Sequence, residues 1–359
     1  MLAEVTFVHQ RGMVYGIYWA TQNIISSVLN LLGSYETDAL GWRWFYWIYA
    51  IAIGVGLIIV IFAGFETRFQ RPPTALDGEI IVTDEFGVTR TLAGEDAREY
   101  LDGIGVQQTG DDANVPKRSY LQMLVPYSSR AERPFRVMFM SLVHMVASLS
   151  SPGILWTILL SSIVLGASIA MSLTYDHVLQ GYGWKPKDIG LIGIGGIIGG
   201  TVGMAYAGWF SDRFTIWAAK RNNGVHKPEH RLLLLILPGF LAFGSLLLYG
   251  FTTTGATWWG PYCGWTLYQI TFVTVLIIST TFAAEAWPRN PGPAIVMVVG
   301  TKNIVSFGAS YGLTPMVNEH GYPWAMGILA GILGAIFLLG IPVYFLNPRW
   351  RRYMSKREE

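Results

Sequence analysis

The longest apolar run in the chain lies between Arg231 and Glu285, where 53 consecutive residues include no Asp, Glu, Lys, Arg or His. A helix that crosses the hydrocarbon core of a bilayer needs about 20 predominantly apolar residues. The run therefore has the length of two such helices. Its one polar interruption, residues 252–257, is rich in Thr and Gly and is typical of a turn. The pattern predicts two transmembrane helices joined by a short loop.

The same alternation of long apolar runs and short polar breaks recurs along the chain. Each run is bounded by charged residues, turn residues or aromatic side chains of the kind found at membrane interfaces. A separate stretch, 134–150, begins at Pro134 and predicts an amphipathic helix lying at the interface. The predicted fold class is therefore all-α, a polytopic membrane protein with about eight transmembrane helices, at approximately 12–34, 43–65, 153–175, 189–211, 232–252, 259–284, 293–316 and 322–346.

Composition supports a membrane protein and excludes several kinds of site. Charged residues make up 13% of the chain, against about 25% in soluble domains. The net charge is only +2 and the charges lie in the loops, so nucleic acid is not an expected partner. The single cysteine, Cys263, excludes a disulfide framework and a cysteine-based zinc site. The six histidines are scattered, and we expect neither a metal ion nor a cofactor.

Lys and Arg residues are concentrated in alternate loops. Loop 212–231 and the tail 349–359 carry five each, whereas 35–42 and 252–258 carry none. Positive residues favour the cytoplasmic side of a membrane. Both termini and the long segment 66–133 are therefore predicted to be cytoplasmic. The lipid bilayer is an expected partner, and the plasma membrane is the expected location.

The long polar segment contains a candidate β-hairpin. Residues 80–83 and 88–91 favour strands and flank a turn at 84–87. Residues 95–101 predict a short helix, and 102–119 predict a flexible linker. The alternative is a linker that is mostly disordered throughout, because an isolated hairpin is only marginally stable in water.

Several short motifs give the chain a family resemblance. Residues 41–45 read GWRWF and open the second span, and 65–69 read FETRF and close it. Residues 208–213 read GWFSDR, 285–288 read EAWP, and 306–312 read SFGASYG. Together they resemble helix six, the loop after helix eight, the end of helix ten, and helix eleven of fungal major facilitator superfamily transporters. The general, drug:proton-antiporter-like branch is the most similar.

The resemblance implies a register and a function. It assigns the predicted spans to helices five to twelve of a twelve-helix fold, truncated at its N-terminus. The expected parts are a two-helix remnant of the N-terminal bundle at 1–65, a central loop at 66–133, a complete C-terminal six-helix bundle at 134–348 and a basic tail at 349–359. The implied function is transport of a small organic solute by alternating access. We expect that transport to be impaired in this chain.

Four charged residues are candidates for a gate. Asp212 and Arg213 follow Gly208 by about one turn. The resemblance implies that this Gly-x-x-x-Asp-Arg pattern closes the cytoplasmic side by charge pairing. Ordinary anchoring by positive residues is the alternative. Lys302 and Glu285 lie nearest the membrane interior, where a charge is costly. We expect them to pair with each other, or Lys302 to extend to the interface.

Polar and aromatic residues recur on one face of helices five, seven and ten, of which the resemblance places seven and ten around the central cavity. Such a face suits an organic solute. Hydrogen bonding between helices by Ser and Thr is the alternative. The substrate-cavity candidates are Trp19, Asn23, Asn30, Thr157, Ser161, Ser168, Ser172, Tyr175, Trp265, Tyr268, Gln269 and Phe272.

Small residues spaced four apart form two stripes, which predict close approach between helix backbones. The stripes are Gly12, Gly16 and Ala20, and Gly195, Gly199, Gly203 and Ala207. The family's antiport motif on helix five contains a Gly-Pro pair followed by Gly. Residues 22–26 here read QNIIS, which leaves coupling to protons open.

Two alternatives to transport also stay open. One is a non-transporting membrane partner that binds and modulates full-length homologues. The other is a membrane-embedded enzyme, which would need clustered histidines and carboxylates. The sequence contains neither a His-x-x-His pair nor a His-x4-Asp pair, so we do not expect an enzyme.

Overall fold

The structure is a computed structural model of the chain, and it describes residues 10–63, 74–76, 79–83, 89–93, 134–221, 228–286 and 291–358. Helices dominate these ranges. They are α1 Arg11–Leu40, α2 Trp42–Ala63, α3 Pro134–Ser148, α4 Pro152–Gly181, α5 Pro186–Arg221, α6 Pro228–Thr252, α7 Trp259–Ala286, α8 Pro291–His320 and α9 Tyr322–Glu358.

The prediction of a multi-span helical membrane protein is confirmed in this coarse form. Within the described ranges, six helices are long and apolar enough to cross a membrane: α2, α4, α5, α6, α7 and the Tyr322–Trp350 part of α9. The remaining two predicted spans fall on α1 and α8. Both are 30 residues long, but polar side chains such as Gln22 and Asn23 lower the hydropathy of α1. Eight spans therefore stay a prediction.

A small antiparallel sheet accompanies the helices. Its strands are β1 Thr74–Leu76, β2 Glu79–Thr83 and β3 Thr89–Ala93, in the order β1-β2-β3. The predicted hairpin coincides with β2 and β3, which pair with Ile81 opposite Thr91. β1 extends the hairpin to three strands, which the sequence did not predict. The helix and linker predicted for 95–119 lie outside the described residues.

Helix α7 is the centre of the packing. It contacts α1, α4, α5, α6 and α8, and nearly all of its residues from Val273 to Ala286 are buried. A span that is surrounded by other helices has no face for lipid, which explains its uniformly apolar and small-polar composition. By contrast α2, every residue of which is described, has no buried residue.

Glycines allow α5 to lie close to two neighbours at once. A Cβ built on Gly203 would be 3.0 Å from Val273 of α7, and one built on Gly200 would be 2.8 Å from Ile24 of α1. On α1, a Cβ on Gly16 would be 3.2 Å from the Cα of Gly208. The predicted small-residue stripes thus lie at close helix contacts.

Helix α5 is irregular where it meets α1. It begins with a 3-10 segment, Pro186–Ile192, and widens into a π-helical turn at Ala205–Phe210 before it continues as an α-helix from Ser211. A π-turn shifts the register of the helix face that follows it. Here the π-turn ends just before Ser211 and Asp212.

Candidate functional site

A buried arginine organises the charged groups at one end of the bundle. Arg231, in the first turns of α6, is only 1% exposed. Its Nε donates to both carboxylate oxygens of Glu285 at 3.0 Å, and its Nη2 donates to Asp212 Oδ1 at 2.9 Å. Its Nη1 donates to Ser211 Oγ at 3.0 Å. We call these four residues the Arg231 cluster. Arg231 Nη2 also lies 2.9 Å from Glu285 Oε1, so two guanidinium nitrogens face this carboxylate, and such charge-assisted contacts are strong.

The Arg231 cluster also holds the beginning of α1. The backbone N–H of Gly12 donates to Asp212 Oδ1 at 3.1 Å, and that of Met13 donates to Asp212 Oδ2 at 2.8 Å. N–H groups in the first turn of a helix have no partner within the helix and carry partial positive charge. One carboxylate therefore joins α1, α5 and α6. A side chain at Gly12 would collide with that carboxylate, which explains the glycine.

A second buried polar group, the Asn347 cluster of Asn347, Glu229 and Ser151, joins α4, α6 and α9. Asn347 of α9 is fully buried, and its Nδ2 donates to Glu229 Oε1 of α6 at 2.9 Å. Its Oδ1 accepts from Ser151 Oγ and from the backbone N–H of Gly153, each at 3.2 Å, where α4 begins. This contact was missed at the sequence level, because Asn347 reads as a polar residue at the end of a span.

The two adjacent gate candidates, Asp212 and Arg213, have different partners. Asp212 faces the Arg231 cluster, whereas the guanidinium of the exposed Arg213 lies 4.5 Å from the ring centroid of Trp209. Consecutive helix residues point about 100° apart, so they do not share a partner. The counter-ion of Asp212 is Arg231, which the sequence reading treated only as one of the positive loop residues. Its position at the start of a 53-residue uncharged run was the available signal.

The other two charge candidates, Glu285 and Lys302, also have different partners. Glu285 binds Arg231. Lys302 of α8 is 4% exposed, and its Nζ lies 4.0 Å from the ring centroid of Trp19. The indole N–H of Trp19 donates to Thr280 Oγ1 of α7 at 3.1 Å. Lys302 is thus buried among α1, α7 and α8 rather than extended to an interface.

Some of the cavity candidates converge between α1, α4 and α7. The hydroxyl of Tyr175 accepts a hydrogen bond from Asn30 Nδ2 at 3.0 Å. The rings of Tyr175 and Trp265 meet edge to face, with centroids 5.4 Å apart. In the described part of the chain, the buried Trp265 Nε1, Gln269 Oε1 and Ser161 Oγ have no hydrogen-bond partner. Buried polar atoms of this kind are uncommon in folded proteins.

The remaining cavity candidates have structural partners or pack in the core. Hydroxyls and amides bind backbone carbonyls within the same helix or on its neighbour, and Phe272 packs on the apolar core. Ser168 is buried. The carbonyl contacts are Asn23 with Gly196, Thr157 with Ile154, Ser172 with Ile169 and Tyr268 with Val164.

An open groove of about 470 Å³ runs between α1 and α2. Asn30 is the cavity candidate on its wall, beside Gln22 and Ser26 on the polar side and Phe45 and Tyr49 on the aromatic side. Asn30 therefore connects this groove with Tyr175. Among the residues that the structure describes, no group of three His, Cys, Asp or Glu side chains is placed to hold a metal ion.

Comparison with known proteins gives a consistent result. Residues 1–310 match the family model described as Major Facilitator Superfamily. An MFS-type transporter of Schizosaccharomyces pombe is 26% identical over 99% of this chain and 66% of its own length. The efflux pump radE of Floropilus chiversii is 25% identical over 98% of this chain and 60% of its own length. Protein HOL1 of Saccharomyces cerevisiae is 22% identical over 99% of this chain and 68% of its own length.

The chain thus spans roughly two thirds or less of the length of the first relatives it matches. By name, one of these relatives is an MFS-type transporter and another is an efflux pump. The family model covers most of the chain, and apolar helices able to span a bilayer are present. The chain belongs to the major facilitator superfamily, as a multi-pass membrane protein.

Proposed function

We propose that the chain moves a small organic solute across a membrane by alternating access, and that the Arg231 cluster closes the cytoplasmic side. In this proposal α1 and α2 belong to the N-terminal bundle and α4–α9 form the C-terminal bundle. Both termini are cytoplasmic, and the plasma membrane is the site of action. The single observation that carries the proposal is that Asp212 and Arg231 fasten the beginning of α1 to α5, α6 and α7.

The form of this contact suits a gate. Transporters of this kind expose a central site to alternate sides when one bundle rocks against the other. A few charge-assisted hydrogen bonds at a helix end are strong when made, and they can be exchanged for water when the helix end moves away. A broad apolar contact could not be replaced by water in this way.

The solute is proposed to bind between α1, α4 and α7. Tyr175 and Trp265 supply aromatic surface, and Asn30 supplies an amide that reaches between helices. Trp265 Nε1 and Gln269 Oε1 are a donor and an acceptor without a partner in the described residues. A largely apolar site with a few directed polar groups is the usual form of a small-molecule site.

A reversible cross-link across the proposed gate tests the function. A Cβ at Gly208 would lie 3.4 Å from the Cα of Met13, which suits a disulfide between α1 and α5. In a Cys263→Ser background, Met13→Cys with Gly208→Cys is oxidised in proteoliposomes, and uptake of labelled organic cations, anions and neutral solutes is measured. We expect the cross-link to stop uptake of every transported solute, and reduction to restore it.

The matched control places the disulfide inside one bundle. Phe243→Cys with Gly334→Cys joins α6 to α9, where a Cβ at Gly334 would be 3.5 Å from the Phe243 ring. This cross-link should leave uptake intact. Continued transport with the α1–α5 disulfide fully formed contradicts the gate. The same vesicles test the proposal that transport by these 359 residues is slow, by comparing turnover per molecule with that of a longer relative.

A further inference from the structure

Lys302 is a buried cation that the proposed gate does not use. Its ammonium lies on the ring face of Trp19 at 4.0 Å, and Trp19 is held in place by its hydrogen bond to Thr280. Both Lys302 and Trp19 are more than nine-tenths buried. Three helices, α1, α7 and α8, therefore meet at one positive charge. We call Lys302, Trp19 and Thr280 the Lys302 site.

The positive charge is not balanced by the acids on the helices around it. Glu285 is five residues beyond Thr280 on α7, about 7 Å along the helix axis, and it binds Arg231. Asp212 binds Arg231 too. Throughout the part of the chain that the structure describes, the recorded partner of Lys302 Nζ is the Trp19 ring. A cation–π contact offsets only part of the cost of burying an ammonium.

Serine residues lie in the turns next to the Lys302 site on α4, α7 and α8. Ser306, one turn beyond Lys302 on α8, donates to the carbonyl of Ser162 and so holds α8 against α4 at that level. Ser161, beside it, and Ser279, next to Thr280, have buried hydroxyls without a hydrogen-bond partner among the described residues. A buried cation whose contact is the face of an aromatic ring is a chemical match for an acidic group.

We propose that the Lys302 site binds the carboxylate of the transported solute, which would make that solute a small organic acid. It is a second position on the path of the solute, because Thr280 lies 11 residues beyond Gln269 on α7, about 16 Å along the helix axis. The inference rests on the proposed transport function. The carboxylate would be the counter-ion of the Lys302 ammonium, because a buried charge normally requires a partner of opposite charge. Trp19 and Thr280 are positioning residues, because they fix the place of the ammonium without carrying charge.

Equilibrium binding to the purified chain in detergent tests the proposal without any need for transport. The probe is radiolabelled benzoate, and the competitor is benzamide, which has the same shape but no charge. We expect saturable benzoate binding that benzamide does not displace. Lys302→Met should weaken it at least tenfold, while Lys302→Arg, which keeps the charge, should stay within about threefold of the original. Lys187→Met removes an exposed positive charge and should have no effect.

If the Lys302→Met variant does not fold, a second measurement on the wild-type chain tests the same proposal. Pyridoxal phosphate forms imines with lysine amines, which borohydride fixes for mapping by mass spectrometry. In the wild-type chain, benzoate should slow the labelling of Lys302 at least fivefold and benzamide should not, with Lys187 as internal reference.

Three results would overturn the inference: no benzoate binding to the wild-type chain, equal binding to folded Lys302→Met, or equal competition by benzamide. They are distinct from failure of the proposed function. If the chain transports neutral or cationic solutes but does not bind benzoate, only the proposal for the Lys302 site is contradicted. Benzoate binding that depends on Lys302, in a chain that transports nothing, removes only the transport proposal.

Discussion

Replacing Arg231 by Met should be one of the most damaging single substitutions in the chain. The change keeps an unbranched apolar stem but removes every guanidinium hydrogen bond of the Arg231 cluster. Two buried carboxylates, Asp212 and Glu285, then lose the guanidinium that binds both of them. Breaking a buried ion pair by removing one partner costs about 3–5 kcal/mol. Asp212 keeps its two backbone N–H donors, which places the expected loss near the lower half of that range.

That magnitude is large enough to measure. About 3–4 kcal/mol corresponds to a change of roughly two to three orders of magnitude in the folding equilibrium. The assay is unfolding in mixed micelles with increasing dodecyl sulfate, followed by tryptophan fluorescence. The matched control is Arg213→Met, which removes an exposed arginine whose recorded contact is with the Trp209 ring and should cost below about 1 kcal/mol.

A combined variant tests the cause of the loss. If uncompensated charge is responsible, adding Asp212→Asn and Glu285→Gln to Arg231→Met should restore at least half of the lost stability, because no buried charge is then left alone. Equal destabilisation by Arg213→Met and Arg231→Met would refute the reasoning, and so would a combined variant no more stable than Arg231→Met.

Three further predictions concern packing, the second polar cluster and topology. Gly12→Ala should lower the unfolding free energy by about 2 kcal/mol, because its Cβ would collide with a carboxylate of the Arg231 cluster; Gly54→Ala, with no atom within 4 Å of its Cβ, should be neutral in the same assay. Asn347→Leu should lower the unfolding free energy by about 1–3 kcal/mol, because it removes hydrogen bonds from buried partners. The control Asn303→Leu should leave the unfolding free energy unchanged, because Asn303 is exposed and its hydrogen bond to Val299 is long, at 3.4 Å. Single cysteines in loop 252–257 should react with an impermeant maleimide added outside intact cells; protection there with reaction in the tail would reverse the predicted orientation.

The helices were predictable from sequence because hydropathy is a local property. Twenty apolar residues in a row must form hydrogen bonds within themselves in a bilayer, whatever lies beside them. Glycine stripes were readable for a similar reason, since spacing by four puts small residues on one face. The irregular start and the π-turn of α5 were not predictable, because hydropathy does not distinguish 3-10, α and π hydrogen bonding within one apolar helix.

The charged site was predicted only as a set of candidates. The sequence named Asp212 and Arg213 as gate residues and offered Lys302 as a partner for Glu285. In the structure Arg231 binds both acids, 19 residues from Asp212 and 54 residues from Glu285. Such pairs are fixed by the packing of α5, α6 and α7, which no local pattern contains. The cavity candidates stay a prediction for a different reason. Ser and Thr hydroxyls can bind a carbonyl of their own helix, as Thr157 does with Ile154, and sequence does not distinguish that from a hydroxyl facing a solute.

The two ends of the bundle are held by contacts of different strength. At the end where α1 begins, Asp212 and Arg231 form charge-assisted hydrogen bonds across α1, α5, α6 and α7. Towards the other end, the described side-chain hydrogen bonds from α1 to its neighbours are neutral: Asn23 binds the carbonyl of Gly196 of α5, and Asn30 binds Tyr175 of α4. Charge-assisted hydrogen bonds are roughly twice as strong as neutral ones. A helix fastened strongly at one end and weakly at the other separates first at the weak end. Opening of the proposed solute site is therefore expected to begin beside Tyr175, with the Arg231 cluster as the pivot that must break for the opposite opening.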